Sequence, residues 1–90
     1  VERHPLGSQL FMPLEERPFL VVVAPDEAGV PGRPLAFVTR PGQGVNYRRN
    51  TWHGVLTPLG EPQDFLIVDR VGPGTNLEEH FYEKAWTITD

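Results

Sequence analysis

The sequence predicts an all-β domain with many tight turns, and three observations carry that prediction. The 10 prolines and 9 glycines are spread along the whole chain as punctuation and are not gathered in one tract. Between them lie short segments rich in β-branched, aliphatic and aromatic residues, the pattern of strands bounded by turn residues. The two most apolar of these, Phe19–Ala24 and Phe65–Asp69, are too short and too rich in Val and Ile to make good helices.

Taken in order, the expected strands are Ser8–Pro13, Phe19–Ala24, Leu35–Thr39, Gly44–Tyr47, Gly54–Pro58 and Phe65–Asp69. Phe19-Leu20-Val21-Val22-Val23-Ala24 is apolar on both faces, as a central strand covered on both sides would be, and Phe65-Leu66-Ile67-Val68-Asp69 reads nearly the same way. The segment from Asn76 to Thr89 carries two patterns. Asn76 with Glu79 fits a capping box, and Leu77, Phe81 and Ala85 fall at helical spacing, whereas Trp86-Thr87-Ile88-Thr89 alternates as a strand does. An extended tail is the expectation. No internal repeat, low-complexity tract or linker is visible.

Ninety residues are enough for one domain, residues 1–90, and not for two. A chain this short buries a small share of its surface. It opens on Val1 and not Met, with Glu2 and His4 already resembling site residues. The expectation is therefore the active-site half of a longer fold, with further strands upstream or a partner subunit supplying cover. Unpaired edges in such a piece favour self-association, here read as a homodimer.

Eight Lys and Arg against twelve Asp and Glu leave a net charge of −4 and a pI near 5.3. That balance argues against nucleic acid as a partner, because phosphate binding needs concentrated positive charge. The nearest basic patch is Arg48-Arg49 with Arg40. There is no cysteine, which excludes disulfides and thiolate metal sites. The longest apolar run, Phe19 to Ala24, is far short of the ~20 residues of a membrane helix. A cytoplasmic protein with no membrane partner is the expectation.

Two stretches carry chemistry. Glu2-Arg3-His4, then four residues, then Gln9 has the spacing of the first cupin motif, with Glu for the leading His and Gln for the trailing Glu. Gly42, five residues to Arg48, then Asn50 and His53 keep the register of the second motif, with Arg for its Pro, Asn for its Gly and Thr57 for its last Asn. Glu2 and His4 are two apart, so on a strand they share a face. His53 must reach that face from a neighbouring strand. Glu2, His4, Gln9 and His53 offer O and N atoms suited to a divalent metal ion, although Gln is a poor ligand.

A more specific resemblance follows from longer runs. Glu2-Arg3-His4-Pro5-Leu6-Gly7-Ser8-Gln9-Leu10-Phe11-Met12-Pro13-Leu14, Phe19–Pro25, Gly44-Val45-Asn46-Tyr47 with Thr51-Trp52-His53, and Phe65–Arg70 resemble, in order, segments of the ureidoglycolate lyase family. The match spans nearly the whole chain. The clearest departure is Arg48, where some members of the family carry His.

The resemblance implies a cupin-type double-stranded β-helix (jelly-roll) barrel. It also implies cleavage of ureidoglycolate to glyoxylate and urea in allantoin and purine catabolism, a carbon–nitrogen lyase reaction. That reaction needs a base near the hydroxyl, a proton donor for the departing urea nitrogen and a cation for the carboxylate. His53 and His4 are the candidates for proton transfer, since imidazole titrates near neutrality. Glu2 is the reserve base, or the group that orients one of them. Gln9 matches a ureido group through both ends of its amide. Arg48 suits the carboxylate through its guanidinium fork, and Tyr47 or Asn46 adds a polar contact. A divalent ion, if bound, would hold the substrate oxygens and acidify the hydroxyl.

Structural readings stand beside these. A lone His in a β-protein is often a hydrogen-bonded structural residue, and for His4 both readings are open. Trp52 and Phe11 read as core or barrel wall, His80 as surface, and Asp69-Arg70 as a structural pair. Two other functions remain: a non-catalytic cupin that binds a small carboxylate or ureide, and a metal-dependent cupin enzyme of another class.

Overall fold

The computed structural model describes residues 1–89. Those residues contain eleven short strands and no helix, so the all-β expectation is met. The strands are β1 (Glu2–Arg3), β2 (Gln9–Pro13), β3 (Phe19–Ala24), β4 (Asp26–Glu27), β5 (Val30–Pro31), β6 (Leu35–Val38), β7 (Val45–Tyr47), β8 (Trp52–His53), β9 (Thr57–Pro58), β10 (Phe65–Val68) and β11 (Glu78–Glu79). One sheet runs β11-β1-β8-β3-β6, with β9 also on β3; a second runs β10-β2-β7; β4 and β5 form a separate hairpin. Every pairing is antiparallel.

The two larger sheets face each other, and strand alternation supplies the core. In β2, Gln9, Phe11 and Pro13 are buried while Met12 is exposed; in β3, Phe19 and Val21 are buried on the inner face, and Ala24 is buried on the other face opposite Trp52. Phe11, Phe19, Val21 and Tyr47 make the central cluster, with Val23, Val45, Leu56 and Phe65 packed against it. Phe11 meets Tyr47 edge-on at 5.9 Å, and Phe19 meets Phe65 edge-on at 5.1 Å, geometries that aromatic quadrupoles favour. β7 enters beside β2 through Gly44, where an added Cβ would come within 2.8 Å of the Phe11 carbonyl oxygen.

Several expectations are corrected. Among the described residues the sheets do not close into the expected barrel: β6 ends one sheet and β7 and β10 end the other. A cavity of about 290 Å³ lined by Val21, Phe37, Thr39 and Val45 opens between the β6 and β7 sides. Closing a barrel requires every strand to have two neighbours, and these edges have one. β10 is thus an edge with Leu66, Ile67 and Val68 half-exposed, not the doubly covered strand its composition suggests. Of the expected strand Gly54–Pro58 only Thr57–Pro58 (β9) is regular; Gly54–Leu56 is irregular, and the strand before it, β8, lies outside the expected range at Trp52–His53. The β1 strand and the β4–β5 hairpin are additional. The tail is extended as expected: β11 is its one regular element, and no helix forms.

Candidate functional site

The site is assembled by two short pairings. β1 and β8 align Glu2 directly across from His53, and β8 in turn aligns His53 across from Val23 of β3. Directly opposed residues of an antiparallel pair project to the same face. His4, two residues beyond Glu2, follows onto that face as alternation requires. The ligand atoms of Glu2, His4 and His53 all lie within 4.8 Å of one another. The two imidazole centroids are 5.2 Å apart, and His4 Nε2 is 4.0 Å from Glu2 Oε1.

Each imidazole is fixed at one nitrogen and bare at the other. His4 Nδ1 lies 2.8 Å from the Asn76 carbonyl oxygen, and His53 Nδ1 lies 2.9 Å from that of Gly54. A carbonyl only accepts, so each neutral ring carries its proton on Nδ1 and leaves an Nε2 lone pair. Both Nε2 atoms are buried without a hydrogen-bond partner among the described residues. His53 itself is 1% exposed. Burial holds its pKa below the ordinary 6.5, partly offset by the bond to Gly54, with the nearby His4 adding to the lowering.

The turn that delivers His53 is tied to His4. Between β7 and β8 the chain reverses at Arg48–Thr51, with Thr51 N–H donating to the Arg48 carbonyl at 3.1 Å. Asn50 adopts φ +69° and its N–H donates to the His4 carbonyl at 2.9 Å. Asn is among the few residues that accept this left-handed backbone at modest cost, so Asn50 fills the position where the cupin motif has Gly.

Tyr47 lies on the same inner face and stacks on His53, with ring centroids 4.2 Å apart and planes 8° from parallel. Burial pushes its hydroxyl up to about 12, so the phenol stays neutral at any physiological pH. Gln9 is the register partner of Tyr47 and is buried, its Nε2 donating to Asp69 Oδ2 at 2.9 Å. Its Oε1 is buried without a partner.

The structure therefore brings together Glu2, His4, Gln9, Tyr47 and His53. It does not bring Asn46 or Arg48 to the cluster. Asn46 precedes Tyr47 on β7 and projects to the opposite face, beside Leu10 and Val68. Arg48 is exposed in the turn.

The opposite faces of β1 and β8 carry a feature that residue spacing does not announce. The Arg3 guanidinium stacks over Trp52 at 4.4 Å and bonds Asp26 Oδ1 at 2.9 Å and Glu78 Oε2 at 2.7 Å. Trp52 Nε1–H donates to the same Asp26 oxygen at 3.0 Å and, ahead of Arg3, holds that carboxyl below its usual range. Trp52 is 3% exposed, so its reading as wall holds; the identity of its partners was not legible.

The donor set fits a divalent ion. Two imidazoles with free Nε2 lone pairs, each oriented by a carbonyl on Nδ1, together with a carboxylate are a familiar metal-binding combination. No helix among the described residues is long and apolar enough to cross a membrane.

The sequence model of the family described as ureidoglycolate lyase matches residues 1–89. Among curated proteins, the chain is similar to a ureidoglycolate lyase of Chelativorans sp. (strain BNC1), with 72% identity over 98% of this chain and 53% of that protein. It is 68% identical to one from Mesorhizobium japonicum, over 98% of this chain and 54% of the relative. It is 60% identical to one from Rhizobium etli (strain CIAT 652), over 100% and 54%. The chain thus spans about half the length of the curated relatives it matches.

Proposed function

The chain belongs to the ureidoglycolate lyase family, and from that premise we propose that it forms the site-bearing half of an enzyme that splits ureidoglycolate into glyoxylate and urea. The observation that carries the reading is the convergence of Glu2, His4 and His53, with two unpartnered imidazole nitrogens.

The reaction removes a proton from the carbinol hydroxyl, breaks the C–N bond and returns a proton to the departing urea nitrogen. His53, neutral at physiological pH because it is buried, is suited to take the hydroxyl proton at Nε2. His4, in its imidazolium form with a second proton on the unpartnered Nε2, is placed to donate to the leaving nitrogen, with Glu2 beside it. Tyr47 holds the His53 ring in plane. Arg48, exposed in the turn that Asn50 anchors on the His4 carbonyl, would serve as the cation for the carboxylate only by swinging its side chain toward the site.

Glu2, His4 and His53 are also the residues that would hold a divalent ion, with Gln9 Oε1 as a weaker fourth donor. Such an ion would occupy the Nε2 lone pairs, replacing their proton-transfer role, and would supply Lewis acidity toward the substrate hydroxyl and carboxylate. Its presence leaves Tyr47 and the two backbone carbonyls with the same task of orienting the rings.

The exposed edges β6 and β10 favour a homodimer, since unpaired strands bearing Phe37, Val38, Leu66 and Ile67 seek partners. A cytoplasmic location fits a metabolic lyase. The deciding experiment is turnover of ureidoglycolate to urea by the intact protein. His53→Ala is expected to lower it by about 100- to 10,000-fold; undiminished turnover would remove His53 from the chemistry.

A further inference from the structure

We infer that Asp69 is a positioning residue, which fixes Gln9 so that the site offers an acceptor, and not a donor, to the N–H groups of a ureide. The inference deepens the proposed function and rests on its reading of the site.

Gln9 is 9% exposed and sits on the inner face of β2, in register with Tyr47. Tyr47 stacks on His53, so Gln9 adjoins the cluster through one aromatic ring. Its Nε2 donates to Asp69 Oδ2 at 2.9 Å. An ionised carboxylate only accepts, so the amide nitrogen must face Asp69 and the carbonyl oxygen must point the other way. That oxygen is buried with no hydrogen-bond partner. A buried orphan acceptor costs about 1–3 kcal/mol, and a bound N–H donor would relieve the cost.

Asp69 is itself held. It directly follows Val68, whose register partner is Leu10, and so continues β10 past Gln9. Its Oδ1 accepts the Arg70 N–H at 3.0 Å. Arg70 packs over Gly7, where an added Cβ would meet the Arg70 Cβ at 2.8 Å, and its Nη2 donates to the Pro73 carbonyl at 2.9 Å. The carboxylate therefore has one orientation, and through it the Gln9 amide has one as well. An amide free to rotate would present NH₂ to the site half the time and repel the N–H groups of urea.

Ureide recognition and carboxylate recognition can be separated with two probes. Hydantoate (N-carbamoylglycine) carries the ureido group and the carboxylate but has no hydroxyl, so it is not cleaved. Glycolate carries the carboxylate and hydroxyl without the ureido group. Their dissociation constants are to be measured by NMR titration of the intact protein. Asp69→Asn is expected to weaken hydantoate about ten-fold, the value of one hydrogen bond, and to change glycolate by less than two-fold. Gln9→Met should produce the same loss, and adding Asp69→Asn to Gln9→Met should cost nothing more, because Asp69 acts only through Gln9.

Retained glycolate binding shows that each variant folds and keeps its site. Equal weakening of both probes, or a further loss of hydantoate in the double variant, would overturn the Asp69 assignment alone. Wild-type protein that binds hydantoate no more tightly than glycolate would overturn the ureide reading of the site.

Discussion

Tyr47 and His53 lie face to face, 4.2 Å apart and 8° from parallel, although they belong to different sheets of the sandwich. The contact makes a core aromatic residue the floor beneath a buried imidazole. Tyr47→Phe should retain stability within about 0.5 kcal/mol, because the ring is kept. Tyr47→Ala should cost about 3–5 kcal/mol in urea unfolding, the range for deleting a buried aromatic side chain.

Acid should destabilise the metal-free protein through His53. Its folded pKa lies below its unfolded value near 6.5, so its contribution is fully present above pH 6.5 and is lost as pH falls from there toward the lowered value. Urea midpoints should therefore drop between pH 7.5 and pH 5. The drop should shrink in His53→Phe, and an equal drop there would assign the effect to other groups.

Alkali should act through Tyr47 with the opposite sign. Its folded pKa of about 12 exceeds the ordinary 10, so stability is intact below pH 10 and is lost as pH rises from 10 toward 12. Tyr47→Phe should flatten that limb of the stability curve. A limb of unchanged slope would mean that Tyr47 ionises freely while folded.

Divalent ions should bind wild-type protein and raise its thermal midpoint. His4→Ala and His53→Ala should each weaken binding by at least the roughly 10–100-fold caused by disturbing a ligand's support. Calorimetric titration after chelator treatment measures this, and wild-type affinity in both variants would place the ion elsewhere.

Arg48→Ala should raise KM far more than it lowers kcat, since an anchor for the carboxylate contributes mainly uniform binding. Steady-state kinetics on ureidoglycolate decide the matter. An unchanged KM would end the role of Arg48.

The sequence disclosed some of this site for a clear reason. Glu2 and His4 share a face because strands have period two, and His53 reaches that face in a register the cupin spacing preserves even with Asn50 in place of Gly. Other parts depend on partners distant in the chain. The wholly apolar run Phe65–Val68 looks central by composition, yet burial depends on a neighbouring strand and among the described residues β10 has one only on its β2 side. The tautomers of His4 and His53 are set by the carbonyls of Asn76 and Gly54, and nothing in the side-chain pattern announces a carbonyl. Asp69 read as half of a structural pair because its contact with Gln9 spans 60 residues of sequence.

The β1–β8 ladder aligns one pair of residues, yet it decides what stands on both of its sides. With Glu2 opposite His53, the carboxylate meets the imidazoles on one side while Arg3 caps Trp52 on the other. A slip by one position would turn Glu2 and His4 away and set the Arg3 guanidinium beside His53. So short a ladder opens at a lower free energy than the Phe11–Phe19 core. On warming, loss of the proposed turnover should therefore run ahead of the cooperative melt, with the site disarmed while the protein is still folded.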